Sequence, residues 1–181
     1  MATAGAVAAA IRARLGTDPG RAKIHKLLYY CQGWHLAWTD APLFDERIEA
    51  WDMGPVVADL WRAERSHGLA TAEPLVAVEE RTIGYVINRY GELWGSQLIG
   101  QTHEEAPWQE ARSRGWNSAL SLDVMRGFFL SDPAANQAWF WDRAWQLGEL
   151  EAERDVHEGH TTRHLSSGDF LEALDTNRAD V

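Results

Sequence analysis

The stretch that most limits how this chain can fold is residues 23–57, KIHKLLYYCQGWHLAWTDAPLFDERIEAWDMGPVV. It opens as a helix dense in aromatics, passes a polar turn at Thr39-Asp40-Ala41-Pro42, and closes on Trp51-Asp52-Met53-Gly54-Pro55. Ile24, Leu27, Leu28, Cys31, His35 and Trp38 recur at helical spacing and mark one face, with Tyr30 and Trp34 four apart on its flank. Aromatic side chains at both ends predict that the two halves fold back on each other around a shared aromatic core.

The rest of the chain supplies helices to pack against this stretch. Residues 3–15 form an Ala-rich helix with Val7, Ala10, Ile11 and Leu15 on one side and Gly16 at its end. Thr17-Asp18-Pro19 reads as a cap followed by a first-turn proline, which starts the second helix there. Residues 43–53 alternate poorly, so they are irregular with room for a short hairpin. Gly54-Pro55 reads as a turn that launches a third helix through Arg65. A fourth helix runs from about Glu79 to Trp94, and a short one covers Leu98 and Ile99. Another follows Pro107, and Ser121 caps one carrying Leu122, Val124, Met125, Phe128 and Phe129. Ser131-Asp132-Pro133 starts a last long helix to about Asp155, with Trp139, Phe140, Trp141 and Trp145 as its aromatic stripe.

Short turns between periodic helices predict an all-α fold with at most a minor short β-hairpin, in one compact multi-helix domain over residues 1–154. Residues 155–181 form a partly flexible tail: they are poor in hydrophobics apart from Phe170, Leu171 and Leu174. At 181 residues the chain can bury about two-thirds of its unfolded surface.

A net charge of −10, with seventeen scattered Lys and Arg, argues against nucleic acid as the partner and favours a basic protein. One cysteine excludes an internal disulfide framework, and no apolar run is long enough to span a membrane. The opening residues lack the charged and apolar regions of a signal peptide, so the expected location is cytoplasmic.

Three segments carry a more specific signal: KIHKLLYYCQGWHLA, PLFDERIEAWDMGPVV and THEEAPWQEAR. Together they resemble the hallmark motifs of the Panacea, or SocA-like, domain of type II toxin–antitoxin antitoxins, in the right order and at natural spacing over about residues 11–130. Met53 stands where that family often has an aromatic, and His25 where it often has Gln. The resemblance implies a non-catalytic antitoxin from a bacterial or prophage pair, without a cofactor, that neutralises a cognate toxin encoded beside it. It also implies an alternative, an adaptor that delivers the toxin to a Clp-type protease. Self-association into a homo-oligomer is left open. The tail resembles the toxin-binding ends of other antitoxins, which makes Phe170, Leu171 and Leu174 candidate contacts.

Partner-binding candidates in the domain are Tyr29, Tyr30, Trp34 and Trp51, with Asp45, Glu46, Glu49 and Asp52 as an acidic rim for a basic toxin. An aromatic stripe at helical spacing is more often core than interface, and Trp34 and Trp51 are read as core first. Gly54, Pro55, His103, Pro107 and Trp108 are read as scaffold, with His103 to Trp108 forming a corner. An enzyme using His103 with Glu104 or Glu105 is the weaker reading, because no nucleophile, phosphate loop or second metal ligand accompanies them. His157, His160 and His164 fall at spacings of three and four but are interrupted by Gly159, short of a zinc set.

Overall fold

A computed structural model describes residues 1–16 and 18–135. Among the described residues the elements run α1 (Ala4–Leu15), α2 (Arg21–Thr39), β1 (Ile48–Trp51), β2 (Gly54–Val57), α3 (Ala58–His67), α4 (Ala77–Tyr90), α5 (Gly95–His103), α6 (Ala106–Ser113) and α7 (Leu122–Leu130). The described residues therefore form seven helices with one short antiparallel hairpin, in agreement with the all-α reading and its minor hairpin. The long helix expected after Pro133, the domain boundary, the tail and the three tail histidines lie outside the described residues.

Local chemistry sets several boundaries. Thr3 accepts a hydrogen bond from the Ala6 N–H at the start of α1, and Gly16 ends it in the left-handed region. Ser121 caps α7 by accepting from the Val124 N–H. The start of α2 differs from the sequence expectation. Asp18 spends its carboxylate on the Gly20 N–H in a local turn, so the helix begins at Arg21, two residues beyond Pro19. The fourth helix likewise ends at Tyr90, and Trp94 stands exposed at the start of α5, where its N–H donates to Gln97.

A larger correction concerns the sides of α2. Its residues from Ile24 to Ala37 are all buried, so the helix has no solvent face. Helices α1, α4, α5 and α7 and strand β2 pack around it. Tyr30 stacks on Tyr90 at 4.0 Å, and Trp34 meets Tyr85 at 5.1 Å and Phe129 at 5.2 Å. Phe129 also packs against Tyr29 at 5.6 Å. This ring reaches α2 because Gly33 has no side chain: a Cβ there would lie 1.9 Å from Phe129 Cε2. The aromatic partners of α2 thus come from α4 and α7, whereas Trp51 packs on Trp61 at 5.2 Å.

The two halves of residues 23–57 do fold together, but polar bonds join them. The hairpin pairs Ile48 with Val57, Glu49 with Val56, Ala50 with Pro55 and Trp51 with Gly54. Asp52 and Met53 make its turn, and Gly54-Pro55 opens β2 instead of starting α3, which begins at Ala58. Proline is tolerated there because the Ala50 and Pro55 pair turns its backbone groups outward: Ala50 N–H donates to Ser118 O at 2.9 Å, away from β2. The poor alternation over residues 43–53 hid β1, since a four-residue strand offers too few positions to show its period.

Candidate functional site

Four polar side chains of α2, His25, Lys26, Gln32 and His35, are buried, and together they hold three neighbouring segments. Two of them occupy the outer edge of β2 as a third strand would. His25 Nδ1 accepts the Val57 N–H at 3.3 Å, and Lys26 Nζ donates to the Pro55 carbonyl at 3.1 Å. On the other side of the hairpin, Leu120 N–H donates to Ile48 O at 2.8 Å. Both edges are thereby occupied, so addition of a partner strand to this hairpin is disfavoured.

Gln32 clamps the chain entering the hairpin. Its amide donates to Phe44 O and its oxygen accepts from the Leu43 and Phe44 N–H groups, at 2.9 to 3.2 Å. His35 Nδ1 lies 2.9 Å from Thr82 Oγ1 and ties α2 to α4. Burial lowers His25 to about 4, assisted by the charges of Lys26, Arg12 and Arg21, so its imidazole is neutral and able to accept at neutral pH. Burial also brings Lys26 down to about 7 and lowers His35.

The three motif segments close on one another here. Gly54 has φ +90°, and a Cβ on it would lie 2.6 Å from Lys26 Cε and 2.8 Å from Thr102 Oγ1. Glycine is required on both counts. Pro107 is buried near the start of α6. The Trp108 indole N–H donates to Trp51 O at 3.1 Å, while the His103 ring lies 4.2 Å from the Trp108 ring. His103 therefore sits against an indole with its Nε2 buried and unpartnered, a poor arrangement for a general base.

The neighbouring carboxylates serve elsewhere. Glu104 is exposed, and Glu105 is buried with Oε1 accepting from the Tyr30 hydroxyl at 2.9 Å. Burial pushes the Glu105 carboxyl up, and the nearby Tyr29 hydroxyl with the hydrogen bonds from Tyr30 and Gln101 opposes the shift. Burial and the same carboxylate raise both tyrosines. Cys31 is fully buried and its thiol pushed up, the state of an inert core cysteine. Among the described residues no group of three or more His, Cys, Asp or Glu is placed to hold a metal ion. None of the described helices is long and apolar enough to cross a membrane.

The partner-binding candidates separate by position. Tyr29, Tyr30 and Trp34 are completely buried, their rings packed against side chains of α4 and α7, in line with the core-first reading of Trp34. Trp51 is half-buried, and its indole N–H donates to Glu49 at 2.8 Å. Glu46 accepts the Ala4 N–H at the start of α1, and Asp52 pairs with Arg112 at 2.7 Å. Asp45 is exposed. Phe170, Leu171 and Leu174 lie outside the described residues.

Sequence reasoning missed Arg112 and Trp116, which adjoin the hairpin turn. The Arg112 guanidinium that pairs with Asp52 also lies 3.8 Å over the Trp116 ring. A tryptophan next to glycine in a loop, RGWNS, was the available signal, since nothing periodic requires that ring inside.

Comparison with protein-family models matches residues 24–109, a little under half of the chain, to the antitoxin SocA-like, Panacea domain family. Comparisons with curated proteins and with solved structures find no match.

Proposed function

We propose that this chain, whose residues 24–109 carry a SocA-like Panacea domain, is an antitoxin that neutralises a cognate toxin by binding it directly. The family match carries the reading. Its physical support is that the matched motifs build a rigid scaffold: Lys26, Gly54, Pro55 and Thr102 meet at one point, and Trp51 and Trp108 at another. Motifs committed to packing leave surface positions to decide which partner is taken. The chemistry of His103, Glu105 and Cys31 offers no reactive group poised for a substrate, in keeping with a protein that acts by binding.

In this reading the toxin meets Asp45, Glu49 and Asp52 beside Trp51, and residues 155–181 add a second contact through Phe170, Leu171 and Leu174. A basic toxin fits the net charge of −10. Co-expression with the product of the adjacent reading frame tests the proposal. Restored growth and a complex that co-purifies are expected. A neighbour that is not toxic, or one whose toxicity persists without any complex, would remove it.

A further inference from the structure

The two long edges of the hairpin are held by different chemistry. Along β1 the bonds are between peptide groups: Ala50 N–H donates to Ser118 O and Leu120 N–H to Ile48 O. Along β2 they come from two side chains of α2, His25 accepting the Val57 N–H and Lys26 donating to Pro55 O. Peptide groups have no proton to gain or lose near neutral pH, whereas both of these side chains do.

Their surroundings make an added proton costly. His25 is 2% exposed and Lys26 1%. A proton on His25 Nδ1 would end its bond to Val57, because the accepting nitrogen would become a donor. Burial acts first on His25, and the charges that add to it, from Lys26, Arg12 and Arg21, are all positive. Arg12, on α1, is in turn paired with Glu64 of α3. Lys26 packs against Gly54 beside Thr102, and among the described residues no carboxylate pairs with it; burial alone brings it down to about 7. His103, next to Thr102 on α5, is turned to Trp108, and β2 itself has no ionisable side chain.

Nothing else on that edge replaces these bonds. A hairpin of two four-residue strands does not hold itself, so its contact with α2 decides whether β2 stays down.

We infer that the α2-facing edge of β2 is a proton-operated latch. A proton gained by Lys26, and in stronger acid by His25, frees β2 from α2 while β1 keeps its bonds to residues 118–120. Once released, Lys26 and His25 regain their ordinary values of 10.5 and 6.5. The open form therefore becomes about tenfold more populated for each pH unit lost between about 9 and 7. It then levels off and rises again below 6.5 as His25 takes its proton. The latch does not depend on the antitoxin reading.

Amide hydrogen exchange of the full chain, followed by NMR between about pH 7 and 9, tests it. Each rate is divided by that of an unstructured peptide at the same pH, which removes the base catalysis of exchange itself. Protection of the Val57 amide should fall about tenfold per unit of pH lost, while Ala50 and Leu120, bonded on the β1 side, keep theirs. In Lys26→Met the slope at Val57 should vanish. Equal losses at Val57, Ala50 and Leu120 would mean that the whole chain opens, and would overturn the latch. Val57 protection that ignores pH would do the same, as would a slope that survives Lys26→Met. If Lys26→Met does not fold, the nitrogen resonance of Lys26 Nζ in the wild type decides: a midpoint near 7 supports the latch, and one near 10.5 overturns it.

Discussion

The aromatics around α2 and those around the hairpin are the same residue types put to opposite uses. In the interior, Tyr29, Tyr30, Trp34, Tyr85, Tyr90 and Phe129 pack on one another, and Trp34 donates its indole N–H to the Tyr90 hydroxyl. Beside the hairpin, Trp51 and Trp108 are half-buried, bonding to a carboxylate and a backbone carbonyl, while Trp61 and Trp116 carry arginines on their faces. The first group can change only by disrupting the core. The second can change its outer members without disturbing the backbone bonds that hold it, which is what a surface that selects partners requires.

The sharpest break of the interior is Gly33→Ala. Its Cβ would displace the Phe129 ring from three aromatic neighbours, and a loss of more than about 3 kcal/mol is expected, read as the shift in a urea unfolding midpoint. A near-neutral result would mean that α7 does not pack on α2 as described.

Acid probes the polar bonds of the same helix. An unfolded histidine takes a proton near pH 6.5, while His25 in the folded chain resists until about 4. Between those values the unfolded state binds more protons, so stability falls as pH drops, by about 3 kcal/mol in all. His35, lowered by burial, adds in the same direction; Glu105, raised by burial, acts in the opposite one. Lys26 extends the trend upward, because its depression to about 7 makes stability rise above that pH until about 9, where the raised Cys31 thiol and then the raised tyrosines act in the opposite direction. Thermal unfolding across pH checks both, with His25→Gln flattening the acid limb and Lys26→Met the alkaline one.

Gln32→Leu should cost about 2 kcal/mol, since three buried backbone groups at Leu43 and Phe44 lose their partner. Faster hydrogen exchange at those two amides would locate the effect. At the other extreme, Met53→Ser with Trp116→Ser should alter stability by no more than about 0.5 kcal/mol, because both side chains are already in water. A large loss there would erase the distinction between the two aromatic groups.

Much of the local structure was legible. Gly16 and Ser121 mark helix ends by side-chain and backbone chemistry that needs no distant partner. The three motif segments carry the resemblance, and the match to the family model over residues 24–109 takes in the first but for Lys23, the second whole and most of the third. The surroundings of α2 were not legible. His25, Lys26, Gln32 and His35 look like solvent positions in any periodic pattern, and only the groups they meet show why they are inside. The hairpin surface was half legible: Trp51 and the acidic residues stand in the motif, but Arg112 and Trp116 come sixty or so positions after the turn they adjoin.

By itself, then, the sequence determined most helices, several of their ends and the resemblance over residues 24–109, all of which depend on contacts within a few residues or on a recurring pattern. The tertiary structure alone decided that α2 is enclosed on every side, that its polar groups replace a third strand along the hairpin, and which tryptophans face outward. Those outcomes depend on backbone donors and acceptors brought together from distant segments, and burial makes each of them pair.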